Sequence, residues 1–118
     1  MKIVATGNAP APFSVEQGVM TEQPDNEVWV RAGDKVNKLA ARVVEFARLQ
    51  DFLDHNTLDL ACIGAAAINQ AVKAIGAARM ELQRDMLDVV TQPFFSTIID
   101  DKNRERTRLV LRVFVVTV

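Results

Sequence analysis

Apolar positions along this chain follow two rhythms, and the changes between them mark the elements. Val28-Trp29-Val30-Arg31 is a short run of strand composition. Ala32-Gly33-Asp34 follows as a turn, with Asp34 placed to cap a helix. From Lys35 to about Asp54, residues Val36, Leu39, Ala40, Val43, Phe46, Ala47 and Leu53 recur at spacings of three and four, which predicts an amphipathic helix. Thr57 to Ile63 returns to strand composition, and Gly64 breaks it. Ala65 to about Met86 is helical again, with Ile68, Ala71, Val72, Ile75, Leu82 and Met86 on one stripe. Ala66, Ala74, Gly76, Ala77 and Met80 make a second stripe. A helix covering a sheet requires only one. The second leaves two readings open, a subunit interface or simply the helix propensity of alanine.

Val89 to Ile99 reads as a third strand, with Pro93 forcing an edge or bulge position. Asp100 through Glu105 is a polar turn, and Thr107 to Val116 is a fourth strand, so the two should form an antiparallel hairpin. In the last strand Leu109, Leu111, Val113 and Val115 alternate with Arg108, Val110, Arg112 and Phe114, giving one apolar and one mixed face. The order β-α-β-α-β-β predicts an α/β fold. It should be a two-layer sandwich, a four-stranded mixed sheet with both helices on one face. Residues 1–26, with Pro10, Pro12 and Pro24, read as an extension, disordered or draped over a domain spanning 27–118.

Charge sharpens this division. Residues 1–27 set Lys2 against Glu16, Glu22, Asp25 and Glu27, a net −3, whereas 28–118 hold 13 Lys/Arg against 11 Asp/Glu, a net +2. An acidic tail thus precedes a mildly basic domain. No apolar run approaches the ~20 residues that span a bilayer, and the start of the chain makes a poor secretory signal. Cys62 is the only cysteine, which excludes an internal disulfide and points to the cytoplasm. His55, at a predicted helix end, and Cys62, in a predicted buried strand, are poor candidates for catalysis. No metal-ligand cluster, phosphate loop or nucleophile motif accompanies them, so neither an enzyme nor a cofactor is expected.

The segment Ile63-Gly64-Ala65-Ala66-Ala67-Ile68-Asn69-Gln70-Ala71-Val72-Lys73-Ala74-Ile75 resembles the signature of the stage V sporulation protein S family. Asp88-Val89-Val90, Pro93-Phe94-Phe95 and Glu105-Arg106-Thr107 resemble that family's later strands and turn. The resemblance covers about residues 28–116 and implies the wider Alba-like fold, several of whose members bind DNA or RNA as dimers. It implies that the turn Arg31-Ala32-Gly33-Asp34-Lys35-Val36-Asn37-Lys38 meets phosphate backbone, with Arg42 on the same helix face. It also marks Asn69 and Gln70 as contacts to nucleic acid or a partner subunit. The hairpin tip, with Arg104 and Arg106, is either an arm reaching along a groove or an ordinary soluble turn. Two functions therefore stand side by side. One is a non-catalytic, dimeric nucleic-acid-binding protein of low sequence specificity, with no membrane or small-molecule partner. The other is a protein-interaction or regulatory module. In the first, the acidic tail competes for the basic patch.

Overall fold

The structure is a computed structural model that describes residues 2–3, 26–49 and 57–118. Its elements run β1 (Lys2–Ile3), β2 (Glu27–Val30), α1 (Val36–Leu49), β3 (Leu58–Cys62), α2 (Ala65–Leu82), β4 (Leu87–Ile99) and β5 (Glu105–Thr117). A 3₁₀ turn over Gln83–Asp85 follows α2. From β2 onward this is the expected β-α-β-α-β-β order, a mixed sheet of four strands with two helices. The predicted end of the first helix near Asp54, the site of His55 and the extension's residues 4–25 lie outside the described residues. The two residues of β1 pair antiparallel with the end of β5, Ile3 opposite Val116.

β5 lies at the centre of the sheet. It pairs antiparallel with β4 along its whole length, from Leu87 opposite Thr117 to Ile99 opposite Glu105. On its other side it pairs antiparallel with β3, Leu58 opposite Val113 and Cys62 opposite Leu109. β2 then pairs parallel with β3, Val30 opposite Cys62. β4 is an edge strand among the described residues, the setting in which Pro93 costs no ladder hydrogen bond.

Leu111, Val113 and Val115 of β5 join Leu58, Leu60 and Cys62 of β3 in the core beneath the helices. α1 seals it with Leu39, Ala40, Val43, Val44, Phe46 and Ala47, close to the predicted stripe. α2 departs from expectation. It buries Ala67, Ala71, Ala74, Ala78 and Leu82, while Val72 and Met80 stay exposed. Methyl side chains let this helix approach α1 and the sheet closely, with Leu82 buried at its end and Ile68 and Ile75 packed against the core, whereas Ala66, Gly76 and Ala77 of the second stripe are exposed. Gly64 turns the chain from β3 into α2 at φ 92°, a conformation that suits glycine. Met86 ends the 3₁₀ turn at φ 59°, a costlier position for a residue with a side chain.

The end of α2 is tied to β4 by a bidentate pair. Arg79 Nε donates to Asp88 Oδ1 at 2.8 Å and Arg79 Nη2 to Oδ2 at 3.0 Å. The Arg79 hydrogen bond, helped by the Val89 N–H and opposed by burial, holds the Asp88 carboxyl below the usual range. A folded-state value below the unfolded one means stabilisation above about pH 4, lost as pH falls through the folded value. Thermal melts should therefore show Asp88→Asn less stable at neutral pH by about 1 kcal/mol. The variant should also lose less stability than the parent below about pH 4. Equal losses in acid would contradict this assignment.

Candidate nucleic-acid interface

Strand direction decides where the charged segments meet. β2 and β3 run parallel and finish level, Val30 beside Cys62. The chain therefore enters α1 and α2 at the same end of the sheet, and both helix N-termini lie there. Gln70 Nε2 donates to Asp34 O at 2.7 Å, tying the second turn of α2 to the turn before α1. β5 runs the other way, with Leu109 opposite Cys62. Glu105 to Arg108 and the turn preceding them consequently project beyond β3 at this same end. Four extended residues carry the hairpin about 13 Å further.

Three segments singled out in the sequence thus converge on one end of the molecule. Arg31, Lys35, Lys38 and Asn69 are exposed there. Lys35, immediately before α1, is in line with Lys38 and Arg42 on the helix, but Arg42 is half-buried and lies further back along it. Gln70 is half-buried and its amide nitrogen is committed to Asp34. Asp34 was expected to cap α1, yet its Oδ2 accepts from the Arg31 N–H at 2.8 Å and closes the turn instead. Arg104 and Arg106 are exposed on the hairpin, and both lie against Asp100. The hairpin stands at the β4 edge and the Lys35 stripe beside β2, on opposite sides of the same end.

The sheet face away from the helices carries charges that sequence reasoning did not single out. Arg112 Nε and Nη2 donate to Asp59 Oδ1 and Oδ2 at 2.9 and 3.0 Å, across the β3–β5 ladder. Arg108 Nη2 lies 2.7 Å from Glu27 Oε1, and both side chains are only 2% exposed. The Arg108 guanidinium also stands 5.0 Å from the Trp29 ring centroid, and that of Arg112 stands 4.6 Å from the centroid of Phe94. Arg108 Nε further donates to Ser96 Oγ at 3.3 Å. These two arginines therefore hold strands together with their own side chains largely buried. Asp59 was the available signal, a lone carboxylate in the apolar run Leu58–Cys62 that burial obliges to find a cation.

Cys62 is buried and its thiol is pushed up to about 11 by desolvation, which keeps it protonated at neutral pH. Among the described residues no group of three His, Cys, Asp or Glu side chains is arranged to hold a metal ion. No helix among them is long and apolar enough to cross a membrane.

Fold and charge layout together define a class, two-layer α/β sandwiches whose parallel βαβ units and projecting hairpin present polar groups at one end. The matching family model is described as stage V sporulation protein S, and it covers residues 27–116. The chain belongs to that family. No curated protein matches the chain. The Asn69–Ala74 hexapeptide has a plain division of labour in this setting. Ala71 and Ala74 pack inward, Gln70 ties the neighbouring turn, and Asn69, Val72 and Lys73 face outward.

The two kinds of arginine should separate in thermal melts. Arg112→Ala strands the buried Asp59 carboxylate and should cost about 3–5 kcal/mol. Arg106→Ala, on the exposed hairpin, should stay within about 0.5 kcal/mol of the parent. Similar costs for the two would refute the division into buried ties and outward-facing charge.

Proposed function

We propose that this chain is a cytoplasmic, non-catalytic, homodimeric protein that binds DNA or RNA through the phosphate backbone with little sequence specificity. The observation that carries the reading is the convergence of the β2–α1 turn, the start of α2 and the β4–β5 hairpin on one end. Lys35 and Lys38 supply cations beside a helix N-terminus, whose free N–H groups favour anions. Arg31 and Asn69 add donors nearby, and the hairpin extends the surface with Lys102, Arg104 and Arg106. Point charges and backbone amides distinguish phosphate from bulk solvent but do not read bases, hence the low specificity.

Fluorescence anisotropy with labelled duplex DNA and single-stranded RNA, titrated at several salt concentrations, tests this directly. Affinity should fall steeply with salt. Lys35→Ala combined with Lys38→Ala should weaken binding to both probes and lower the logarithmic salt slope on duplex DNA by about 2. Absence of binding to either probe at low salt would favour the interaction-module reading instead.

The dimer draws support from an apolar surface on the helix side. Phe95, 70% exposed, stands on β4 beside Leu109, and Val72, 55% exposed, lies on α2 over the same side of the sheet. Half-buried Ile68, Ile75 and Leu109 adjoin the core there. A second copy presenting the same patch would cover both in an isologous contact. Analytical ultracentrifugation should find the parent dimeric and Phe95→Asp monomeric, with little change in melting temperature. A monomeric parent, or a dimeric Phe95→Asp variant, would remove this face from the proposal.

A further inference from the structure

The hairpin tip is formally neutral, since Lys102, Arg104 and Arg106 are matched by Asp100, Asp101 and Glu105. Its geometry does not treat the three carboxylates alike. Asp101 and Glu105 are exposed, whereas the Asp100 side chain is only 15% exposed. Asp100 Oδ1 accepts from the backbone N–H of Lys102 at 2.9 Å and of Arg104 at 2.8 Å. Asp100 Oδ2 accepts from Arg104 Nε at 3.1 Å and lies 4.0 Å from Arg106 Nη1. The backbone closes around it, Asp100 N–H donating to Arg104 O at 2.9 Å and Asn103 N–H to Asp100 O at 3.0 Å. Asn103 takes the left-handed conformation at φ 59°, which asparagine tolerates well. The Arg104 N–H, more than any other group, holds the Asp100 carboxyl below its usual range, so it stays ionised at neutral pH.

We infer that Asp100 is the positioning residue of the tip, holding the loop and the Arg104 side chain as one preformed fork for a phosphate-bearing strand. A loop without this anchor has to order itself on binding, which costs affinity. The inference rests on the nucleic-acid reading for the identity of the partner, but the fixed tip itself does not depend on it. It also makes a prediction opposite in sign to simple charge counting. Deleting a carboxylate beside a phosphate-binding arm should tighten binding through Coulomb attraction alone. Deleting this one should weaken it.

The experiment compares Asp100→Ala and Asp100→Asn in the full chain. Heteronuclear 15N relaxation reads the amides of residues 101–104 in the free protein, and anisotropy reads duplex DNA affinity at low salt. Asp100→Ala should mobilise the tip amides relative to β4 and weaken binding by about three- to tenfold, despite the gain of one net positive charge. Asp100→Asn keeps an acceptor for the Lys102 and Arg104 N–H groups. It should keep the tip rigid and bind at least as tightly as the parent. An equally rigid tip in Asp100→Ala, or binding by that variant as tight as the parent's, would overturn the inference. If the parent binds no nucleic acid, the relaxation comparison alone decides whether Asp100 fixes the tip, and only the proposed partner falls.

Discussion

The register of β5 against β3 is the constraint on which the rest of this molecule depends. Asp59 and Arg112 stand directly opposite each other in the ladder and close a bidentate pair. A slip of one residue would turn Arg108 and Arg112 into the apolar layer under the helices and Leu111 and Val113 out of it. The buried pair and the apolar alternation thus enforce the same register. β4 follows β5 residue for residue, so the register also sets how far the hairpin projects beyond β3. The position of the tip thus depends in part on a salt bridge on the other side of the sheet from the helices.

A second consequence concerns what α2 leaves uncovered. By settling on Ala67, Ala71, Ala74 and Ala78, the helix lies close to its neighbours but shields little of the sheet beyond its own width. β4 extends past that shelter, and Phe95 remains outside it. A larger residue at the alanine positions would lift the helix and disturb the core. Exposed aromatic and aliphatic groups of this kind, beside an edge strand blunted by Pro93, favour association by side chains over extension of the sheet.

Local periodicity made most of the fold legible. The spacing in α1 as far as Leu49, the strand composition of Val28–Arg31 and Thr57–Ile63, and the alternation in Thr107–Val116 each survive in the structure, with the boundaries of the strands shifted by a residue or two. What periodicity left unread was choice between competing faces. Val72 and Ala74 both belong to apolar stripes of α2, and only the proximity of α1 selects the alanine. The arginines escaped notice for a related reason. Arg108 and Arg112 are ordinary polar positions of an alternating strand until β3 and β2 bring Asp59 and Glu27 to them. Gln70 is similar, since its partner Asp34 lies 36 residues away. For the candidate interface, the residue types were visible in sequence, and their convergence at one end needed the strand directions.

Formal charge describes this protein poorly, and that bears on the choice between its two readings. The chain sums to −1, yet Asp59 and Glu27 neutralise Arg112 and Arg108 in pairs whose side chains are largely buried. Those four charges contribute little to the field at the convergent end, where Arg31, Lys35 and Lys38 are exposed. Screening by salt limits such a field to about 8–10 Å, so local charge decides a phosphate contact and net charge does not. On the proposed reading one such end would supply only a few contacts, and a single subunit would bind weakly. Two ends held in one dimer would raise the effective concentration of the second contact without any new residue. Association through the Phe95 surface and phosphate binding at the convergent end would in that case form one design, each making the other useful. An interaction module would need only the first of them, and salt would leave its binding largely unaltered because an apolar contact carries no counterions to release.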